Sequence, residues 1–169
     1  AGRIVAVGRD TEIAPYVGER TDVIDLAGRL ATPGFIDSHT HFTGIGQAKM
    51  GLDLMAARSW DEIVSMVAEA VKTAEPGAWI VGRGWHQEKW MSPPVPNVEG
   101  FPTHDALSRV SPDHPVLLPH ASGHATFANA RAVALAGVTI RTPNPPGGEI
   151  LKDRKGNPIG VLRERASNL

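Results

Sequence analysis

The chain has 169 residues and a formal net charge of −1, with 17 Lys and Arg against 18 Asp and Glu. This balance gives no electrostatic basis for binding nucleic acid or an anionic membrane surface, so we expect neither as a partner. Hydrophobic residues make up 41% and charged residues 21%, which is typical of a globular chain and not of a disordered one. Because the sequence contains no Cys, disulfides, thiolate zinc ligands and a thiol nucleophile are excluded.

The sequence has no segment with the roughly 20 consecutive apolar residues of a membrane helix. It opens with Ala1, Gly2 and Arg3, which resemble neither a start methionine nor a signal sequence. We therefore expect further residues upstream, no contact with a membrane and a cytoplasmic location.

The first 41 residues predict short strands. Residues 4–7 are apolar and run into a turn at Gly8, and residues 23–26 precede a second turn. After Pro33 and Gly34, the sequence predicts a short buried strand that ends in the polar residues 37–41.

The clearest helix covers residues 60–75. Ser59 and Glu62 form the spacing of a capping box, and Pro76 ends the pattern. One helical face carries the apolar side chains of Trp60, Ile63, Val64, Val67, Ala70, Val71 and Ala74. A strand follows at residues 79–82, so the order strand, helix, strand predicts a βαβ unit and an α/β fold.

Beyond residue 83 the sequence predicts short elements between Pro- and Gly-rich loops. These are a surface excursion over residues 86–102, a strand over 116–118, a helix over 128–136, and a β-hairpin built from residues 149–152 and 159–162. Asn129 fits the start of the helix and Gly137 its C′ position.

His39 and His41 stand two positions apart at the end of a predicted strand. Side chains at this spacing point to the same side, about 6.6 Å apart along the backbone. Two imidazoles can then bind one divalent metal ion, with carboxylates or further histidines completing the coordination. The alternative is that they are simply two polar residues at a strand end.

Residues 26–41, which read LAGRLATPGFIDSHTH, closely resemble the first-barrel-strand signature of the amidohydrolase superfamily. Further motifs follow in the same order: Gly82-Arg83-Gly84-Trp85, residues 111–116, Gly123-His124 with Asn129, residues 145–150 and Gly160-Val161-Leu162. As an ordered set they resemble the family-3 amidohydrolases, the group that contains the N-substituted formamide deformylases.

The resemblance implies a TIM (β/α)₈ barrel that carries a small β-sandwich. On this basis we predict an α/β chain with a β-sandwich segment over residues 1–32 and the start of the barrel over 33–82. Residues 83–169 would form an inserted, loop-rich α+β region with a C-terminal hairpin. A complete barrel needs about 250 residues, so we expect the chain to be an N-terminal fragment of one.

The resemblance also implies that His39 and His41 bind a metal at the C-terminal mouth of the barrel. The metal would be one or two divalent ions, with zinc expected and iron or manganese also suited to paired imidazoles. It would activate water to hydrolyse a C–N bond of a small-molecule amide or formamide. The family's later histidines and its proton-shuttling aspartate would lie beyond Leu169, so we assign no catalytic acid or base and expect the isolated chain to be inactive.

Other candidates each have a structural alternative. Glu164 could reach a metal as a bridging carboxylate or be a solvated charge. His124 could face substrate or metal, or make hydrogen bonds within its loop. Trp85 and His86 could contact substrate, or Trp85 could pack in the interior. The sequence favours ordinary surface positions for His104, His114 and His120.

Two other functions remain open from the sequence. One is a non-catalytic binding or structural fragment, and the other is a metal-dependent deaminase of the same superfamily. An open edge of parallel strands would favour pairing with a second copy, so a homo-oligomer is also expected.

Overall fold

The computed structural model describes residues 2–38 and 41–169, and the chain divides into two compact units over residues 1–40 and 41–169. In the first unit, a short helix α1 (Asp10–Ile13) continues into a 3-10 helix (Ala14–Tyr16). The Arg9 N–H donates to the Glu12 carboxylate at 2.7 Å and fixes the start of α1. Hydrogen bonds between residues close in the chain, such as this one, order the described part of this unit.

The strands predicted for the N-terminal region are not formed within residues 2–38. Ile4, Val5 and Val7 are 78%, 78% and 89% exposed, and Ile24 is 80% exposed. A strand needs a neighbouring ladder to satisfy its backbone groups, and within the described part of this unit none is supplied. The β-sandwich segment over 1–32 therefore stays a prediction.

The second unit is an α/β structure. In chain order its elements are α2 (Phe42–Lys49), β1 (Leu52–Asp53), α3 (Trp60–Val71), β2 (Ile80–Arg83), β3 (Asn97–Val98), β4 (Phe101–Pro102), α4 (Asp105–Val110), β5 (Val116–Pro119), β6 (Ala125–Ala128), α5 (Ala130–Leu135), β7 (Gly148–Lys152) and β8 (Pro158–Glu164). Short 3-10 helices lie at Gln87–Lys89, between β2 and β3, and at Arg165–Asn168, after β8.

A mixed six-stranded sheet is the centre of this unit, with strand order β1-β2-β5-β6-β8-β7. The first three strands are parallel, and the remaining pairings are antiparallel. Strands β3 and β4 form a separate two-stranded hairpin. Because β2 pairs directly with β5, the sheet is continuous across the predicted division between residues 82 and 83.

The helix and the second strand of the predicted βαβ unit are confirmed, with α3 connecting the parallel strands β1 and β2. Its first strand is Leu52–Asp53 and not the apolar pair at residues 35–36. The Ser59 hydroxyl accepts the Glu62 N–H at 3.1 Å, as the capping pattern predicted. The Glu62 carboxylate in turn accepts the Arg58 N–H at 2.8 Å, one residue before the cap.

The buried residues described form two hydrophobic clusters, and the larger one lies between α3 and the sheet. Ile63 and Val67 on the apolar face of α3 are fully buried, and they belong to one cluster with the aromatic rings of Trp60, Trp85 and Phe127. The Trp60 and Phe127 ring centroids are 4.6 Å apart, which joins the helix to β6. This packing holds the carboxyl ends of β2 and β5 in place.

Candidate active site at the carboxyl edge of the sheet

The parallel pairing of β2 and β5 brings their carboxyl ends to one edge of the sheet. Strand β6 is antiparallel to β5 and therefore starts at this edge, and β8 is antiparallel to β6 and therefore ends there. Polar side chains follow or precede each strand at this point: His86, His120, His124 and Glu164. In α/β folds this is the edge at which ligands bind.

His120 is the buried member of this group, with 7% of its surface exposed. Its Nδ1 accepts the Ser122 N–H at 3.1 Å, so the proton of the neutral ring is on Nε2, which donates to Gln87 Oε1 at 3.1 Å. The Ser122 hydroxyl adds a 2.8 Å hydrogen bond to Nδ1. Burial, together with the neighbouring His86, lowers the pKa of His120 to about 4. The ring is therefore neutral at pH 7.

His124 and Glu164 are in direct contact across the start of β6 and the end of β8. His124 Nδ1 lies 3.0 Å from Glu164 Oε1, and the Glu164 N–H donates to the His124 carbonyl at 2.9 Å. Glu164 has φ 50° and ψ −127°, a backbone conformation that residues other than Gly rarely adopt. Both side chains border a cavity of about 200 Å³.

Arg163 forms the neighbouring wall of this smaller cavity. Its guanidinium donates to Glu149 at 2.8 Å and to Glu99 at 3.0 Å, and it lies 4.9 Å from the centre of the Phe101 ring. Burial alone would lower the pKa of Arg163, but the hydrogen bonds to Glu149 and Glu99 outweigh it and raise that pKa. Two carboxylates therefore already neutralise this arginine.

A larger cavity of about 710 Å³ lies between α2 and β2. His41, which precedes α2, borders it, and Arg83 at the end of β2 provides the charged group of its lining. Trp79, Val81 and Met50 give it apolar walls. The cavity is therefore amphipathic, with a cation at the carboxyl end of a parallel strand.

The structure separates the residues predicted from the sequence. His39 lies outside the described residues, His41 borders the larger cavity, and His124 and Glu164 meet at the smaller one. Trp85 is fully buried and donates its Nε1 hydrogen to the Leu118 carbonyl at 2.6 Å, which is the interior alternative that the sequence left open.

His86 contacts the polar network without bordering either of these two cavities. Its Nδ1 accepts the Glu88 N–H at 3.3 Å, and its ring centroid lies 4.6 Å from that of His120. The surface positions expected for His114 and His120 are wrong, because both residues are buried, one before β5 and the other after it. Their places beside a short apolar strand were the available signal. Arg83 is a further cavity residue that was not predicted as a site residue, although it lies within the Gly82-Arg83-Gly84-Trp85 motif.

The fit of a divalent metal can be tested on the side chains themselves. No group of three or more His, Asp or Glu within residues 2–38 and 41–169 is arranged to hold a metal ion. The imidazole of His41 is a suitable kind of ligand, but one ligand falls short of the three that protein metal sites usually provide. His41 is thus a suitable kind of ligand for a divalent metal ion, but the described part of the chain provides too few ligands to hold one.

The described helices include none that is both long and apolar enough to cross a lipid bilayer.

Comparison with known proteins relates this chain to hydrolases. The profile of the amidohydrolase family matches residues 22–169. The N-substituted formamide deformylase of Arthrobacter pascens is 35% identical over 170 residues, covering 99% of this chain and 30% of the relative. The protein LONG AFTER FAR-RED 3 of Arabidopsis thaliana is 34% identical over 168 residues, covering 99% of this chain and 28% of the relative. The chain thus spans less than a third of the length of these relatives.

A solved structure shares the fold. An uncharacterized metal-dependent hydrolase from Pyrococcus horikoshii OT3 superposes with a TM-score of 0.50 at 22% sequence identity. The match covers 80% of this chain and 23% of that one.

Proposed function

Because the chain belongs to the amidohydrolase family, as its ordered motifs predicted, we propose that it forms part of a metal-dependent hydrolase. The proposed reaction is hydrolysis of a C–N bond in a small-molecule amide or formamide. The observation that carries the proposal is the position of His41, a residue of the family's metal-binding signature, on the wall of the 710 Å³ cavity. The formamide deformylase relative supports this class of substrate.

In this proposal His39 and His41 would hold the divalent ion, expected to be zinc, with iron or manganese as alternatives. When bound, such an ion supplies an activated water and polarises a carbonyl group. The chain's own contribution is to bind and orient the substrate. Thr43, Gln47 and Arg83 offer polar contacts on the cavity wall, and apolar side chains beside them reduce the access of water.

The network at the smaller cavity would support this site. His124 and Glu164 hold each other through two hydrogen-bonded contacts, and the Ser122 hydroxyl accepts the His124 N–H at 3.1 Å. We propose His124 and His86 as substrate contacts and Glu164 as a further metal ligand. To bind the metal, the Glu164 carboxylate would either give up its contact with His124 or contact both at once. Trp85 would act by packing beneath these residues.

The test uses the longest natural protein that contains this sequence. We expect it to carry bound divalent metal, measured by inductively coupled plasma mass spectrometry, and to release formate or a carboxylate from N-substituted formamides or amides. His39→Ala and His41→Ala should each lower turnover by about a hundredfold or more. Even mutation of residues that only hydrogen-bond to metal ligands typically costs about 10–100-fold in metal affinity or activity. His104→Ala is the matched histidine control.

The outcome that would overturn this function is a folded protein with neither bound metal nor amide turnover. Release of ammonia from a ring amine, with no cleavage of amides, would instead identify a deaminase of the same superfamily.

A second candidate function is a non-catalytic binding fragment. It is favoured by the fact that the described residues form no group of three metal ligands. In that case a His39→Ala, His41→Ala double variant would keep the ligand affinity of the unaltered chain.

A further inference from the structure

Arg83 gives the larger cavity a positive charge at a defined place. Val81 and Arg83 alternate along β2 with the buried Ile80 and Gly82, so they share the open face of the strand. A Cβ atom added to Gly44 would lie 3.8 Å from the Arg83 guanidinium nitrogen Nη1. The guanidinium therefore lies against the first turn of α2, on the cavity wall.

No carboxylate of the described residues forms an ion pair with Arg83. Asp53 is its direct partner in the β1–β2 register, but the Asp53 Oδ1 accepts the Met55 N–H at 3.0 Å. Arg163 differs in this respect, because Glu99 and Glu149 both bind it. Within residues 2–38 and 41–169, no carboxylate therefore occupies the Arg83 guanidinium, which can bind a ligand.

The rest of the cavity wall restricts what that ligand can be. Among the described residues, the lining contains no Asp or Glu, and its polar side chains besides Arg83 are those of His41, Thr43 and Gln47. The apolar surface of Trp79 and Met50 suits a hydrocarbon or aromatic body. A single arginine matches a single negative charge, and its planar fork matches a carboxylate through two parallel hydrogen bonds.

We propose that the larger cavity binds a monocarboxylate attached to an apolar or aromatic body, and that Arg83 recognises the carboxylate. The link to catalysis rests on the proposed function: because His41 borders the same cavity, the substrate class becomes amides that also carry a carboxylate. Arg83 is then a specificity-determining residue, which selects anionic amides over neutral ones.

Phenylacetate and phenylacetamide are suitable probes, since they differ in charge but have nearly the same shape. Titration calorimetry with the 169-residue chain should show phenylacetate binding about tenfold or more tightly than phenylacetamide, because charge-assisted bidentate pairs are about twice as strong as neutral hydrogen bonds. Arg83→Met should remove this preference, and Arg83→Lys should keep part of it. Arg141→Met, an exposed arginine in a loop, is the matched control and should bind like the unaltered chain.

Equal binding of the two probes, or an Arg83→Met variant that still prefers phenylacetate, would overturn the proposal. Asp53→Asn should change phenylacetate affinity by less than about twofold, and a gain of about tenfold would show that Asp53 occupies the guanidinium instead. Thermal unfolding of each variant verifies that the fold is intact. The measurement needs no turnover, so its failure leaves hydrolysis of neutral amides possible, and its success does not depend on hydrolysis.

Discussion

The side-chain amide of Asn129 donates to both the carbonyl and the hydroxyl of Ser111, at 3.1 and 2.9 Å. Both residues are fully buried. The same amide nitrogen donates to the His114 carbonyl at 2.8 Å, and Asn129 Oδ1 accepts the N–H groups of Val116 and Ala132 at 3.0 and 2.9 Å. One side chain thus joins the end of α4, the start of β5 and the start of α5.

Asn129→Ala should strongly destabilise the chain. The substitution leaves several buried donors and acceptors without partners, each of which costs about 1–3 kcal/mol, so a total loss of about 3 kcal/mol or more is expected. Urea unfolding followed by circular dichroism measures this change. The control is Asn168→Ala on the exposed C-terminal turn, which should alter stability by less than about 0.5 kcal/mol. Equal effects of the two variants would contradict the role of Asn129.

The sequence predicted those elements whose signals are local. The α3 helix, the helix cap at Asn129 and the β7–β8 hairpin all follow from residues close in the chain, and the structure contains each of them. The family was also recognisable, because its motifs occur in order along nearly the whole sequence.

What the sequence did not reveal depends on contacts between distant residues. Strand β6 is buried on both faces and therefore shows no alternation of polar and apolar residues. The meeting of His124 with Glu164 depends on the antiparallel pairing of β6 and β8, which connects residues 40 positions apart. The cavity beside Arg83 depends on α2, a helix with weak sequence signals because it contains Gly44 and Gly46.

Ser59→Ala should lower the stability of the chain by about 1 kcal/mol, the usual cost of losing an N-cap side chain. The Ser59 hydroxyl accepts the Glu62 N–H, one of the first-turn amide groups of α3 that have no carbonyl partner within the helix. Ser65→Ala in the same helix is the matched control. Its hydroxyl donates only to the Asp61 carbonyl, so its loss should change stability by less than about 0.5 kcal/mol. Thermal unfolding of both variants decides the point, and a Ser65→Ala cost as large as that of Ser59→Ala would contradict it.

Gly160→Ala should lower the stability of the chain more than Gly137→Ala, although both glycines have a positive φ. Gly160 has φ +99° within β8, and an added Cβ would collide with the Ala128 carbonyl oxygen and stand 3.0 Å from the His104 Cβ. We expect a loss of about 3 kcal/mol or more, or failure to fold. Gly137→Ala, at φ +67° with open space around it, should cost only about 1 kcal/mol. Denaturant unfolding compares the two, and similar losses would show that β8 can move away from β6.

His120 should make the stability of the chain depend on pH. The pKa of His120 in the folded chain is about 4, below the 6.5 of an unperturbed imidazole, so between these values the unfolded chain binds a proton that the folded chain excludes. Stability should therefore fall as the pH decreases from about 6.5 to about 4, by about 2 kcal/mol after allowance for solvent screening. His120→Gln should lack this component, which urea unfolding at several pH values would reveal.

Nuclear magnetic resonance gives an independent measurement of the same group. The ring protons of His120 should titrate with a midpoint near pH 4, because the Ser122 N–H already occupies Nδ1 and protonation must break that hydrogen bond in a buried site. A midpoint near 6.5 would mean that the ring is solvated and that the network from Gln87 through His120 to Ser122 does not persist in solution. In that case the loop carrying His124 would lose the contacts that position it beside Glu164.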